Sequence, residues 1–182
     1  YEIENNNANQ WTKRLSDDTN NGAWTFNHFS VESMINYGTD LYAGTGQSRG
    51  DGEVWKYNGT TWSKIGGDGM NGSWADQTYE QVTALASNGT ALYAGLGNTA
   101  GDAEVWTCEL STGCASWSKI AGDGVGGISA TYSTISSLAT FGGNLYAGTG
   151  LSGAGNGDVY RYNGGTSWTQ IGGDSINSGW GA

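Results

Sequence analysis

LYAGTGQSRGDGEVWKYNGTTWSKIGGDG, residues 41–69, decides the fold, because its landmarks return twice more along the chain. LYAG starts at Leu41, Leu92 and Leu145, spacings of 51 and 53 residues. A glycine-rich link after each copy leads to a short aromatic segment, EVWKY from Glu53, EVWTC from Glu104 and DVYRY from Asp158. A turn and a tryptophan follow, at Trp62, Trp117 and Trp168. Upstream of each LYAG stands a β-type segment, VESMI at Val31, VTALA at Val82 and ISSLA at Ile135. Each unit therefore predicts four strands, with apolar residues on both faces, as sheets stacked between neighbours require.

The composition agrees. Thirty-three Gly, no Pro, nine Trp and ten Tyr in 182 residues describe short strands joined by tight turns. Helix is disfavoured, since each interior Gly costs about 1 kcal/mol there. The small residues of LYAG suit a strand approached closely by other backbone. A formal charge of −10 repels phosphate backbones and anionic membranes, so nucleic acid is excluded as a partner. No apolar run is long enough to span a bilayer, and membrane insertion is not expected. Cys108 and Cys114, in WTCELSTGCASW, fall on the two arms of one expected hairpin; a structural disulfide and an oxidising compartment follow. Sequons at Asn58, Asn71 and Asn88 fit an extracellular or cell-surface location and are equally ordinary turn sequences.

The pattern resembles kelch repeats, in which an apolar strand ending in two glycines is followed by a strand ending in Tyr, a short turn and a Trp. Tyr57 precedes Trp62 and Tyr162 precedes Trp168 in that manner. Two departures stand out: the paired glycines are split, as in Gly44-Thr45-Gly46, and Cys108 replaces the Tyr of the middle copy. NGGTSW from Asn163 is similar to the Asp-box turns of sialidase-type propellers, with Asn where the box has Asp. Tachylectin-type lectins share LYA strands and Trp-bearing loops. The resemblance implies an all-β fold of β-propeller-type blades, each of four antiparallel strands.

Residues 1–15 fit the third-strand, turn and Trp template, with Trp11 in the recurring position, so the count is about three and a half blades. The expected division of the single repeat domain, 1–182, is a half blade with its loop at 1–24, then blades at 25–74, 75–129 and 130–182. Closed propellers need at least four blades, so the open edges call for self-association or the remainder of a longer chain. A start at Tyr1 in place of Met fits a processed protein or a piece of one.

Candidate chemistry is sparse. His28 is the only histidine and has no repeat equivalent, and Arg14, Arg49 and Arg161 occupy unrelated repeat positions. Neither a catalytic triad, a zinc or copper centre, nor a sialidase carboxylate clamp can be assembled from these, and the expectation is no enzyme. Asp51 with Glu53, Asp102 with Glu104 and the single Asp158 recur; they offer an acid and base or Ca2+ ligands, but their repetition favours a role in satisfying turn amides or holding blades together. Asp18, Asp68, Asp123 and Asp174 stand in register, the last three in Gly-Asp loops; Ca2+ is the cation their oxygens would suit, and no cofactor is required. Trp62, Trp117 and Trp168 are expected to pack between blades. Trp24, Trp74 and Trp180 sit in loops with Asn21, Asn71 and Asn177, where they offer either a sugar-stacking platform or a plug between blades. Arg49-Gly50-Asp51 is an integrin-type tripeptide that such a composition yields by chance.

The function expected from these residues is a non-catalytic extracellular scaffold or recognition module, binding a glycan or protein through repeated Trp/Asn/Asp loops. The alternative is a structural subunit that self-assembles through its open edges into a filament or surface layer. A sialidase-like enzyme ranks behind both.

Overall fold

The structure, a computed structural model, describes residues 30–46, 50–75, 79, 81–150, 157–173 and 176. Three four-stranded antiparallel sheets follow one another along the chain. The first blade holds β1 (Ser30–Tyr37), β2 (Asp40–Gly46), β3 (Val54–Tyr57) and β4 (Trp62–Gly66). β5 (Val82–Ser87), β6 (Ala91–Leu96), β7 (Val105–Glu109) and β8 (Trp117–Ala121) form the second. The third holds β9 (Thr134–Phe141), β10 (Asn144–Gly150), β11 (Val159–Gly164) and β12 (Ser167–Gly172). Within every blade the strands pair in chain order, so each is a meander of hairpins. The expected all-β blades are therefore present, and the expected half blade lies outside the described residues.

Turn chemistry sets the hairpins. Asn58 Oδ1 accepts from the Thr60 and Thr61 amides, and Asn88 Oδ1 accepts from those of Thr90 and Ala91. These side chains hold the reversal so that the strands leave it in register. The β3–β4, β7–β8 and β11–β12 pairs share a slip, at Val54/Trp55, Val105/Trp106 and Val159/Tyr160, a repeated irregularity that twists the outer hairpins alike; β11–β12 slips again at Tyr162/Gly164.

Blades pack face to face, and LYAG explains how closely. A Cβ on Gly44 would lie 2.7 Å from Val82 Cγ1, and one on Gly95 would lie 2.7 Å from Ile135 Cγ2. Only glycine lets the first strand of the next blade lie down there. Between the first two blades are buried Tyr42, Val54, Ile65, Trp74, Val82 and Leu85; between the second and third, Tyr93, Val105, Ile120, Ile135, Leu145 and Trp168. The recurring tryptophans tie each blade to the one before it. Trp117 Nε1 donates to Ile65 O at 2.8 Å and Trp168 Nε1 donates to Ile120 O at 3.0 Å. For Trp117 and Trp168 the expectation of packing between blades is met, with an added backbone bond, whereas the Trp62 ring stacks on Tyr57 of its own blade. Position in the stack governs exposure: Leu85 of the middle blade is 8% exposed, whereas Met34, its counterpart in the first blade, is 65% exposed.

Candidate functional site

The loops that link β2 to β3, β6 to β7 and β10 to β11 share one end of the blades with the links from blade to blade. At that loop-rich end Glu53, Glu104 and Asp158 are buried at the entry to the third strand of their blades, and the second blade also buries Asp102, which accepts from the Thr99 amide and hydroxyl. Strand position fixes the partners. Glu53 accepts from Trp55 Nε1 at 2.6 Å, and Glu104 accepts from Trp106 Nε1 at 2.7 Å, each indole lying two residues on and hence on the same face. Lys64 and Lys119, on the fourth strands, bond those carboxylates at 2.9 and 2.8 Å. Each ammonium also reaches an Asp four residues on, Asp68 or Asp123, at 2.9 Å.

The electrostatics follow from burial and pairing. Burial pushes the Glu104 carboxyl above the ordinary range, helped by its hydrogen bond with Asp123 and opposed by Lys119, Trp106 and Tyr79. Asp123, nearer solvent, is held low by its bonds to Glu104 and then Lys119. Burial works to lower the Lys119 ammonium, but Glu104 and Asp123 outweigh it and the net direction is up. In the first two blades Glu53 and Glu104 are thus paired with the lysine and indole of their own blade, where a role in holding blades together was expected.

The third blade breaks the pattern. Gln170 stands opposite Tyr160 where Lys64 and Lys119 stand opposite Trp55 and Trp106, so no ammonium comes from that strand position. Asp158, 7% exposed, takes a hydrogen bond on Oδ2 from the Tyr132 hydroxyl, which lies 3.4 Å from that of Tyr160. Its Oδ1 has no hydrogen-bond partner. Burial first, then Asp158, pushes the Tyr132 hydroxyl far up, so it stays a donor. Tyr132 has its repeat counterpart in Tyr79, which bonds Glu104 and is pushed up by burial and that bond. Sequence reasoning missed Tyr132 and Gln170; the signals were the recurrence of Tyr79 as Tyr132 and the change from Lys to Gln at one repeat position.

The other candidates fall as follows. Trp74 is 2% exposed, donates Nε1 to Gly52 O at 2.6 Å and meets Trp106 and Trp117 edge-on. That is the plug arrangement, and it leaves no ring face for a sugar. Asn71 turns inward as well, its Nδ2 donating to Ile65 O and Cys114 O. Asp68 and Asp123 hold lysine ammonium groups where the loop oxygens were expected to suit Ca2+. Cys108 and Cys114 form the expected disulfide. Of the sequon asparagines, Asn58 is exposed, and Asn88 Nδ2 donates to the Tyr93 hydroxyl. Trp24, Trp180, Asn21, Asn177, Asp18, Asp174 and His28 lie outside the described residues. Among the described residues no helix is long and apolar enough to cross a membrane.

No family model matches the chain, and no curated protein sequence does. Solved structures do match, among them GH43B of a Bacteroides ovatus xyloglucan PUL, at 15% identity and a TM-score of 0.53. The match covers 81% of this chain and 31% of that one, so the chain spans about a third of that structure's length. That protein is a glycoside hydrolase of a five-bladed β-propeller family, and the likeness shows a propeller-like fold here. It also overturns the expectation of a non-catalytic scaffold or recognition module. The expectation of no enzyme, which rested on a lone histidine and scattered arginines, is corrected with it.

Proposed function

We propose that this chain is part of a carbohydrate-acting propeller enzyme in which Asp158 is one of the carboxyl groups that cleave a glycosidic bond. The observation that carries the reading is the break at the third blade. Two carboxylates of the repeat are neutralised by lysine and indole; the third keeps one oxygen without a partner and the other on a tyrosine hydroxyl. A carboxyl group that must gain and lose a proton in a reaction cannot be held by an ammonium partner, and Gln170 removes that partner. Tyr132 orients the group and remains a donor. Cleavage takes two carboxyl groups, one protonating the leaving oxygen and one acting on the water or the sugar carbon; Asp158 is assigned a proton-transfer role, as the acid for the leaving oxygen or the base for the water. The likeness to a glycoside hydrolase supports the substrate class, and the kelch-like repeat supports only the architecture. The disulfide supports a setting outside the cell, where polysaccharides are met.

The test is release of reducing sugar from xyloglucan, arabinan and xylan by the purified protein and by Asp158→Asn. The expected result is release by the native protein and a drop of about a hundredfold or more in the variant, the scale of a lost acid or base. No release from any of the three, or equal rates in a folded variant, rejects the reading.

A further inference from the structure

We propose a second carbohydrate site at the opposite end of the blades, in the seam between the second and third, which takes one or two neutral pyranose rings. The position before the first hairpin turn of each blade reads Tyr37, Asn88 and Phe141. In the first blade Tyr37 crosses the seam, and its hydroxyl donates to Gly89 O of the second at 2.6 Å. Asn88 makes no such crossing. Its Oδ1 is folded back onto the Thr90 and Ala91 amides at 3.0 and 2.9 Å, and its Nδ2 donates to Tyr93 Oη at 2.9 Å.

The space that a ring fills in the first seam is thus open in the second. It appears as two adjoining cavities of about 270 and 260 Å³ that share Asn88 and Gly143. Their size is near the lower end for small-molecule sites, enough for a ring or two and not for a long chain. Tyr93, Asn144, Tyr162 and Asn163 line the larger cavity, and no charged side chain does. The exposed Asn144 and Asn163 amides and the Tyr162 hydroxyl, which each keep bonding capacity beyond their bonds to Gly142 O, Thr169 Oγ1 and Gly165 O, match the hydroxyl edges of a neutral sugar, and the half-buried Tyr162 ring matches its apolar face. A ring bearing a hydroxyl is what the first blade itself places in the equivalent space.

The proposal rests on the carbohydrate reading for its ligand class and makes no use of Asp158. Its test is titration of 15N-labelled protein with xylotetraose and cellotetraose. Amide shifts at Asn88, Gly143, Asn144 and Gly164 are expected. Asn88→Tyr, which restores the plug with the first blade's own residue, should weaken that binding at least tenfold while hydrolysis of a soluble substrate continues. Asn163→Ala should weaken it too, which guards against misfolding of the first variant. Asp158→Asn should lose hydrolysis and keep the shifts, so the two sites fail separately. Shifts confined to the loop-rich end, no shifts with either probe, or unaltered binding by folded Asn88→Tyr would overturn it.

Discussion

Lys119→Met removes the cation that, among the described residues, faces the fully buried Glu104. The ammonium lies 2.8 Å from Oε1, and at that separation with an effective dielectric of 20 the attraction is about 6 kcal/mol. Part of this is offset because Lys119 loses hydration on folding, although its side chain keeps 25% exposure. Breaking a buried pair from one side costs about 3 kcal/mol, which for a chain of this length lowers Tm by about 6–12 °C. The variant also carries a signature in pH. Glu104 binds its proton more tightly folded than unfolded, so its contribution is most favourable below the ordinary carboxylate range and is lost as pH rises through its elevated folded value. Removing Lys119 takes away a group that lowers that value, so the window of declining stability extends upward. Urea denaturation from about pH 4 to about pH 8 should show the native protein and the variant diverging as pH rises. A loss under about 1 kcal/mol at neutral pH, or parallel profiles, would refute the assignment of Lys119 as the partner that makes burial of Glu104 tolerable.

Trp168→Phe should cost about 1–2 kcal/mol by urea denaturation, because Ile120 O is left without its indole donor. Trp117→Phe should cost less, since Ile65 O keeps the Asn71 amide. Replacing Cys108 and Cys114 together by Ser should lower stability by about 2 kcal/mol, the entropy scale for so short a closed loop, without loss of the blade fold by circular dichroism.

How far the sequence could be read depended on whether a feature repeats. Strand order, the crowding at LYAG and the packing of Trp117 and Trp168 follow from residues present in every unit, so periodicity exposes them before any coordinates do. Trp74 shows the limit. A tryptophan among Gly, Asn and Ser suits a plug and a platform equally, and only its bond to Gly52 O and its contacts with Trp106 and Trp117 decide between them. The candidate chemistry lay deeper, in departures from the repeat. Gln170 in a lysine position and Asn88 in a tyrosine position are unremarkable alone; each matters because of what its counterpart does in another blade. Expecting no enzyme followed from a search for histidine and arginine, while the repeated carboxylates were assigned to structure as a group.

The tryptophan bonds give the stack a polarity. Both bonds from the recurring Trp117 and Trp168 point toward the earlier blade, and the buried Trp62 Nε1, the donor at the same position of the first blade, has no partner. Each leaf thus leans on its predecessor for a main-chain acceptor and hands one to its successor. Loss of order at the front of the series would strip an anchor from the next leaf, whereas fraying at the rear leaves the earlier ties intact, so the series should come apart from one side first.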